Sequence, residues 1–227
     1  MRRKKLNIVQ SEPEPIIHRE YVKPKTDNQK DCIKAINEHK LVFILGVAGT
    51  GKTHCAVGCG VEKVFRKQYD KLIITRPVVE AGENMGFLPG NLDEKIAPYL
   101  LPIFDELHCF LGPNEVKQML ANGKTGHRGS IEIAPIAYLR GRTLKNAFII
   151  VDEAQNLSKE QLKMVLTRLG TNSKMVLTGD LKQSDIRNSG LEHVTKSLSS
   201  LKEIAIIHMR SEDICRDPLI GKILERL

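Results

Sequence analysis

The stretch Phe43-Ile44-Leu45-Gly46-Val47-Ala48-Gly49-Thr50-Gly51-Lys52-Thr53 constrains this chain more than any other. An apolar run leads into Gly-x-x-x-x-Gly-Lys-Thr, and a helix-compatible segment follows. That order commits the chain to a strand, a tight loop and a helix whose N-terminus closes on an anion. Glycines let the backbone bend around a phosphate and aim several N–H groups at it. Gly46, Val47, Ala48, Gly49, Thr50, Gly51, Lys52 and Thr53 are therefore candidate nucleotide-binding residues. Lys52 can reach the β- and γ-phosphates, and the Thr53 hydroxyl can ligate Mg²⁺. A chance glycine turn would require neither the preceding strand nor the following helix.

Elsewhere the pattern alternates between strands and helices. Thr26-Asp27-Asn28-Gln29 reads as a helix start, with Ile33 and Ile36 on one face. Leu41 to Leu45 reads as a buried strand, and the helix after Lys52 runs to about Phe65. Lys71 to Thr75 is a second strand, stopped by Arg76-Pro77. A glycine-rich loop covers Glu80 to Gly90. Asp93 to Leu111 is expected to be helical, with interruptions at Pro98 and Pro102. Ile131 to Ala134, Ala147 to Val151, Lys174 to Thr178 and Glu203 to Ile207 read as strands. Ser158 and Gln161 form a capping-box pattern opening a helix to Leu169, and a last helix is expected from Pro218 onward. The pattern implies an α/β fold with a mostly parallel sheet flanked by helices.

Two strands end in groups suited to nucleotide chemistry. Phe148-Ile149-Ile150-Val151 delivers Asp152 and Glu153 to the sheet edge that also carries the phosphate loop. Asp152 is placed to hold Mg²⁺ and Glu153 to orient and deprotonate a water. An exposed acidic helix start is the alternative, and it loses weight beside the phosphate loop. Val176-Leu177-Thr178-Gly179-Asp180-Leu181-Lys182-Gln183 ends a further strand, so Thr178, Asp180 and Gln183 can sense the γ-phosphate or the water. Gln29 offers an amide that donates and accepts at once, as an adenine edge requires. Catalytic roles thus fall to Lys52, Glu153, Asp180 and Gln183, and the cofactors expected are ATP and Mg²⁺.

Composition bounds the rest. The hydrophobic fraction of 41% supports a core, and aromatics at 4% with no Trp make that core aliphatic. No apolar run approaches a membrane span, so no membrane partner is expected. Five scattered cysteines fit a reducing, cytoplasmic setting better than a disulfide framework. His54, Cys55 and Cys59 lack a second ligand pair and read as small residues on the helix after the loop. Residues 1–25 hold seven basic and three acidic side chains, half of the net charge of +8. They read as a mobile basic arm before one domain over 26–227, suited to neutralising nucleic-acid phosphates or simply to solubility.

The phosphate loop, Asp152-Glu153-Ala154-Gln155 and Gly179-Asp180-x-x-Gln183, in this order, resemble the N-terminal RecA-like half of superfamily 1 helicases. The chain more closely resembles the PhoH family of phosphate-starvation-inducible ATPases, which also occurs in phages. The matching segments are Thr75-Arg76-Pro77, Gly82-Glu83-x-x-Gly86-Phe87-Leu88-Pro89-Gly90, Pro98-Tyr99-Leu100-x-Pro102, Ile131-Glu132-Ile133-Ala134-Pro135, Arg140-Gly141-Arg142-Thr143-Leu144, Asp152-Glu153-Ala154-Gln155-Asn156 and Ser189-Gly190-Leu191. The resemblance covers about residues 26–227. It implies a single RecA-like P-loop NTPase domain and ATP hydrolysis linked to RNA metabolism. Where the family usually closes with Arg-His-Pro-Leu, this chain has Arg216-Asp217-Pro218-Leu219.

The helicase resemblance also implies that Arg76 and the Gly82 to Gly90 loop touch single-stranded RNA or DNA, with Phe87 as a stacking candidate. Two-lobed helicases place an arginine of the second lobe on the γ-phosphate. Here that arginine would come from Arg76, Arg140, Arg142, Arg210 or Arg216, across a subunit boundary in a self-associated ring such as a hexamer. A nucleotide-gated binding switch that unwinds nothing is the competing reading. A small-molecule kinase is disfavoured by Glu153 and by Gly-Asp-x-x-Gln, and a GTPase by the lack of an Asn-Lys-x-Asp motif.

Overall fold

The computed structural model describes residues 22–77, 92–120, 129–215 and 226, with the backbone alone at 92–97. Leu41–Leu45 (β1) is apolar and buried at every position, which only a strand covered on both faces allows. Around it, in chain order, stand α1 (Asp27–Glu38), α2 (Lys52–Phe65), β2 (Lys71–Thr75), α3 (Leu92–Phe110), α4 (Pro113–Leu120), β3 (Ile131–Ile133), β4 (Ala147–Val151), α5 (Lys159–Leu166), β5 (Lys174–Gly179), α6 (Leu191–Leu198) and β6 (Ile204–His208). The sheet order is β3-β2-β4-β5-β1-β6. Every neighbouring pair is parallel. The strands' carboxyl ends therefore share one edge.

Alternation along the strands divides the core. Val42 and Ile44 of β1 and Phe148 and Ile150 of β4 pack on one face with α1, α2 and α3. Leu41, Phe43 and Leu45, with Ile149 and Val151, pack on the other with α5 and α6. Each of these large side chains, taken fully out of water, contributes about 1.5–3 kcal/mol. Caps fix two helix starts near the edge. The Thr26 side chain accepts from the Gln29 N–H at 3.3 Å, setting the rotation of α1. Ser158 and Gln161 form a complete capping box on α5.

The expected strands and the α/β class are present, with local differences. α3 runs through Pro98 and Pro102 without the expected interruption. Both prolines lie on its exposed side, where freed carbonyls meet water, while Ile103 and Leu107 anchor the helix in the core. α5 ends at Leu166 rather than Leu169. α4 and α6 are additions to the expected elements. α6 is short, and its apolar stripe is Leu191, Val194 and the partly buried Leu198. Val22, assigned to the basic arm from sequence, is buried in the core. The Glu80 to Gly90 loop, the helix from Pro218, and residues 1–21 lie outside the described residues. Among the described residues no helix is long and apolar enough to cross a membrane.

Candidate functional site

The strand order places three loops together at the carboxyl edge. β5 lies between β1 and β4, and β2 lies on the far side of β4. The phosphate loop, the Asp152-Glu153 turn, the end of β5 and Arg76 thus line an open cleft of about 510 Å³.

The phosphate loop leaves β1 through Gly46, whose φ of 153° and lack of a side chain are both required: a Cβ there would sit 2.5 Å from the Met209 carbonyl oxygen. The Gly46 N–H donates to the Gly179 carbonyl at 3.0 Å, tying the loop to β5. Gly51 caps α2 in the left-handed region (φ 83°), against the Gln29 amide. Lys52 folds back, donating to the Gly46 and Val47 carbonyls at 2.6 and 2.8 Å. Thr50 is buried and donates to the Val47 carbonyl at 3.0 Å, bracing the loop from within. Ala48, Gly49, Gly51, Lys52 and Thr53 line the cleft. The N-terminal end of α2 faces it, with the positive pole of the helix toward any anion there.

Asp152 is the centre of the polar network. Its Oδ1 accepts from the Thr53 hydroxyl at 2.8 Å and from the Thr178 hydroxyl at 2.6 Å. Its Oδ2 faces Arg76 Nη1 at 3.2 Å. Glu153 has left-handed backbone (φ 52°, ψ 43°), unusual for a non-glycine residue and a conformation that costs about 1–3 kcal/mol. That turn aims its carboxylate into the cleft, where Oε1 lies 3.5 Å from Arg76 Nη2.

Gln155 carried no role in the sequence reading, yet it joins the acidic turn to β5. Its Nε2 donates to Glu153 Oε2 at 2.5 Å, and its Oε1 accepts from the Asp180 N–H at 3.1 Å. Asn156 makes a reciprocal pair with Asp185, donating to its carboxylate and accepting from its N–H. The signal was in view: an amide two residues beyond Glu153, in a turn tight enough to bring them together. Asp180 is buried, and its Oδ2 has no partner among the described residues. Gln183 is exposed on the cleft rim.

At the other end of the cleft, Gln29 donates to the Thr50 carbonyl (3.1 Å) and to Cys215 Sγ (3.4 Å), and accepts from the Lys25 N–H (2.7 Å). The Cys215 N–H in turn donates to the Gly49 carbonyl. Burial pushes the nearby Asp213 carboxyl up, but hydrogen bonds from Thr26, the Arg210 N–H and Asn28 outweigh it and hold it below its ordinary value. Lys23 and Lys25, read from sequence as arm residues, line the cleft. So do His54 and Glu106, paired at 2.9 Å between α2 and α3. Cys55 and Cys59 are buried, which pushes both thiols up to about 12.

The remaining candidates stand apart. Arg140 is exposed after a short 3₁₀ turn, and Arg142 pairs with Glu132 of β3 at 2.5 and 3.1 Å. Neither lines the cleft, and Arg210 is exposed near the Gln29 end. Arg76, expected at a nucleic-acid surface, points at the two carboxylates. Arg216 lies outside the described residues, as do Gly82 to Gly90 with Phe87. The donors around Asp152 are all hard oxygens: the Thr53 hydroxyl, two carboxylates, and the orphaned Asp180 Oδ2 nearby. That set suits Mg²⁺, which binds through one or two carboxylates plus phosphate oxygens.

The profile of PhoH-like proteins matches residues 21–227. A PhoH-like protein of Synechocystis is 47% identical over 209 residues, spanning 91% of this chain and 62% of its own length. One from Bacillus subtilis is 45% identical over 207 residues (90% and 63%). Protein PhoH of Escherichia coli is 39% identical over 203 residues (88% and 56%). The chain thus spans about three-fifths of the length of these relatives. Among solved structures, the large terminase of a thermophilic bacteriophage aligns with a TM-score of 0.59 at 12% identity, over 89% of this chain and 49% of that one. A further crystal of that terminase, in complex with ADP, aligns with a TM-score of 0.54 at 10% identity, over 89% and 50%. At such identities the likeness concerns the fold, that of a P-loop NTPase.

Proposed function

The chain belongs to the PhoH-like protein family, and from that premise we propose that it binds ATP with Mg²⁺ in the cleft and hydrolyses it. The observation that carries this reading is Asp152 Oδ1, which receives the hydroxyls of both Thr53 and Thr178 and so ties the acidic turn to the phosphate loop. Gln29 meets the base. The N–H groups of Gly49 to Thr53 and the Lys52 ammonium, swung from the Gly46 and Val47 carbonyls, hold the β- and γ-phosphates. Thr53 and Asp152 hold Mg²⁺, which when bound neutralises charge on the phosphate oxygens. Glu153 accepts a proton from the attacking water as the water oxygen bonds the γ-phosphorus and the bond to the ADP oxygen breaks. Gln155 holds Glu153 to this task, and Asp180 and Gln183 sense the γ-phosphate from the end of β5.

In this reading residues 26–227 form the ATPase domain and residues 1–25 a basic arm. Hydrolysis is coupled to single-stranded RNA or DNA, supported by the net charge of +8. Arg140 and Arg210, both exposed, are available to act on the γ-phosphate of a neighbouring copy in a ring. Arg142 is engaged by Glu132, and Arg216 stays a candidate by sequence. The free cysteines suit a reducing, cytoplasmic setting.

The test is phosphate release from ATP, with and without single-stranded RNA and DNA, beside Lys52→Ala. Release that disappears in the variant and rises with one polymer is expected. Release that persists in Lys52→Ala overturns the site. Release indifferent to both polymers removes the nucleic-acid coupling, and ATP binding without release leaves a nucleotide-gated switch. Light scattering after gel filtration with ATP decides the ring: full turnover by a monomer excludes an arginine in trans.

A further inference from the structure

Among the site residues, Arg76 has its guanidinium directed at both carboxylates of the acidic turn. β2 and β4 are in register at Thr75 and Val151, and the Asp152 N–H donates to the Thr75 carbonyl at 2.9 Å. Arg76 and Asp152 therefore leave adjacent parallel strands side by side, and the fold itself makes the contact. Nη1 stands 3.2 Å from Asp152 Oδ2 and Nη2 3.5 Å from Glu153 Oε1. The Asp152 side chain is 2% exposed and that of Arg76 is 22% exposed, so solvent screens this pair little. Oδ1 of Asp152 already accepts two hydroxyls. The Asp152 oxygen left to meet a cation, Oδ2, is the one the guanidinium faces.

Two neighbouring carboxylates, one of them buried, are unfavourable without a compensating charge. A Mg²⁺ held by Thr53 and Asp152 would supply that charge, and a guanidinium could not keep its place on the same Asp152 oxygen. Like charges also repel strongly at such separations when little water intervenes. The two cations exclude each other.

We propose that Arg76 is a built-in surrogate cation: it neutralises Asp152 and Glu153 while the metal is away and is expelled from them when Mg²⁺ arrives with nucleotide. The proposal rests on the reading of the cleft as a Mg·nucleotide site. It gives Arg76 a function distinct from contacting nucleic acid or a neighbour's phosphate. It also frees Glu153 Oε1 for a water proton only after the cation is in place, so an empty site is not primed for hydrolysis.

The experiment uses the full chain, Arg76→Gln and Arg76→Lys. Mn²⁺ alone, standing in for Mg²⁺, is titrated by the loss of its free-ion paramagnetic resonance signal. ADP is titrated calorimetrically in EDTA and in excess Mg²⁺. Arg76→Gln is expected to bind Mn²⁺ about tenfold more tightly and ADP in EDTA about tenfold more weakly, since the phosphates then meet uncompensated carboxylates. ADP affinity in Mg²⁺ stays within about threefold, the metal having displaced the arginine in either case. Arg76→Lys, which keeps the charge without the fork, falls between, and it carries the test if Arg76→Gln melts below the assay temperature. Mn²⁺ affinity unchanged or weakened in the variants overturns the proposal, as does an ADP loss of equal size with and without metal. A wild-type chain that binds no Mg·ADP overturns the site reading and this proposal together. A wild-type chain that binds it, beside variants that behave identically, removes the surrogate alone.

Discussion

Gln155→Ala should damage both stability and turnover while sparing nucleotide affinity. The residue is 4% exposed and its side chain spans two elements, donating to Glu153 Oε2 at 2.5 Å and accepting from the Asp180 N–H at 3.1 Å. A hydrogen bond to a charged group is worth about 1.5–3 kcal/mol, and a neutral one about 0.5–1.5 kcal/mol. The cleft lets water reach the vacated partners and recovers part of this, which leaves a loss of about 2 kcal/mol. For a chain of this size that lowers Tm by about 4–8 °C. Glu153 sits in a left-handed turn, and without its tether it loses a defined aim. A mispositioned general base lowers kcat by about a hundredfold. The phosphate loop is untouched, so Kd for Mg·ADP should change by less than about threefold. Gln155→Glu, equal in size, replaces the donor with a second carboxylate beside Glu153 and should be at least as damaging to kcat. Scanning calorimetry, phosphate release and ADP titration on the same preparations test this. A Tm within about 1 °C of the original and a kcat within about twofold would refute the assignment.

Phe148→Ala removes a fully buried ring that packs edge-on with Tyr69 in the core, and urea unfolding should report a loss of about 3–5 kcal/mol. Burial pushes the Lys174 ammonium down to about 8 from 10.5, beside the Ile36 and Asn37 carbonyls to which it donates. The unfolded chain then holds more protons between those values. The stability of the wild type relative to Lys174→Met should stay flat below about pH 8 and rise from there to about pH 10.5; a difference flat across that window refutes the account. Cys215 is exposed beside Gln29, and Cys109 is exposed on α3. Mg·ADP should slow alkylation of Cys215 and leave Cys109 unchanged, as read by peptide mass spectrometry; equal rates at Cys215 with and without nucleotide would place the base elsewhere. Cys32, Cys55 and Cys59, whose thiols burial pushes up to about 12, should react only on unfolding.

The sheet was legible because parallel strands covered on both faces leave uninterrupted apolar runs, and β1 and β4 are such runs. The phosphate loop was legible because its glycines and lysine have fixed spacing. What the sequence concealed depended on strand order. Nothing local in Thr75-Arg76-Pro77 says that β2 will lie against β4 and turn Arg76 onto Asp152. Nor does a proline pair announce that α3, anchored by Ile103 and Leu107, will continue through it. Lys23 and Lys25 looked like part of a charged tail because what holds this stretch, Val22 in the core and the Lys25 N–H on the Gln29 side chain, leaves no mark in local composition.

Gly179, at the end of β5, does more than accept a hydrogen bond from the phosphate loop. A Cβ at that position would stand 2.7 Å from Leu191 Cδ2 and 3.0 Å from Gln155 Oε1. The gap between the first residue of α6 and the amide that holds Glu153 is thus narrower than a methyl group. No side chain cushions it, and packed interiors yield little under compression. A helix seated against a bare strand end packs on backbone, with no side chain at Gly179 to hold it off. In the proposed hydrolysis, the room around Gln155 is set by the absence of one carbon atom.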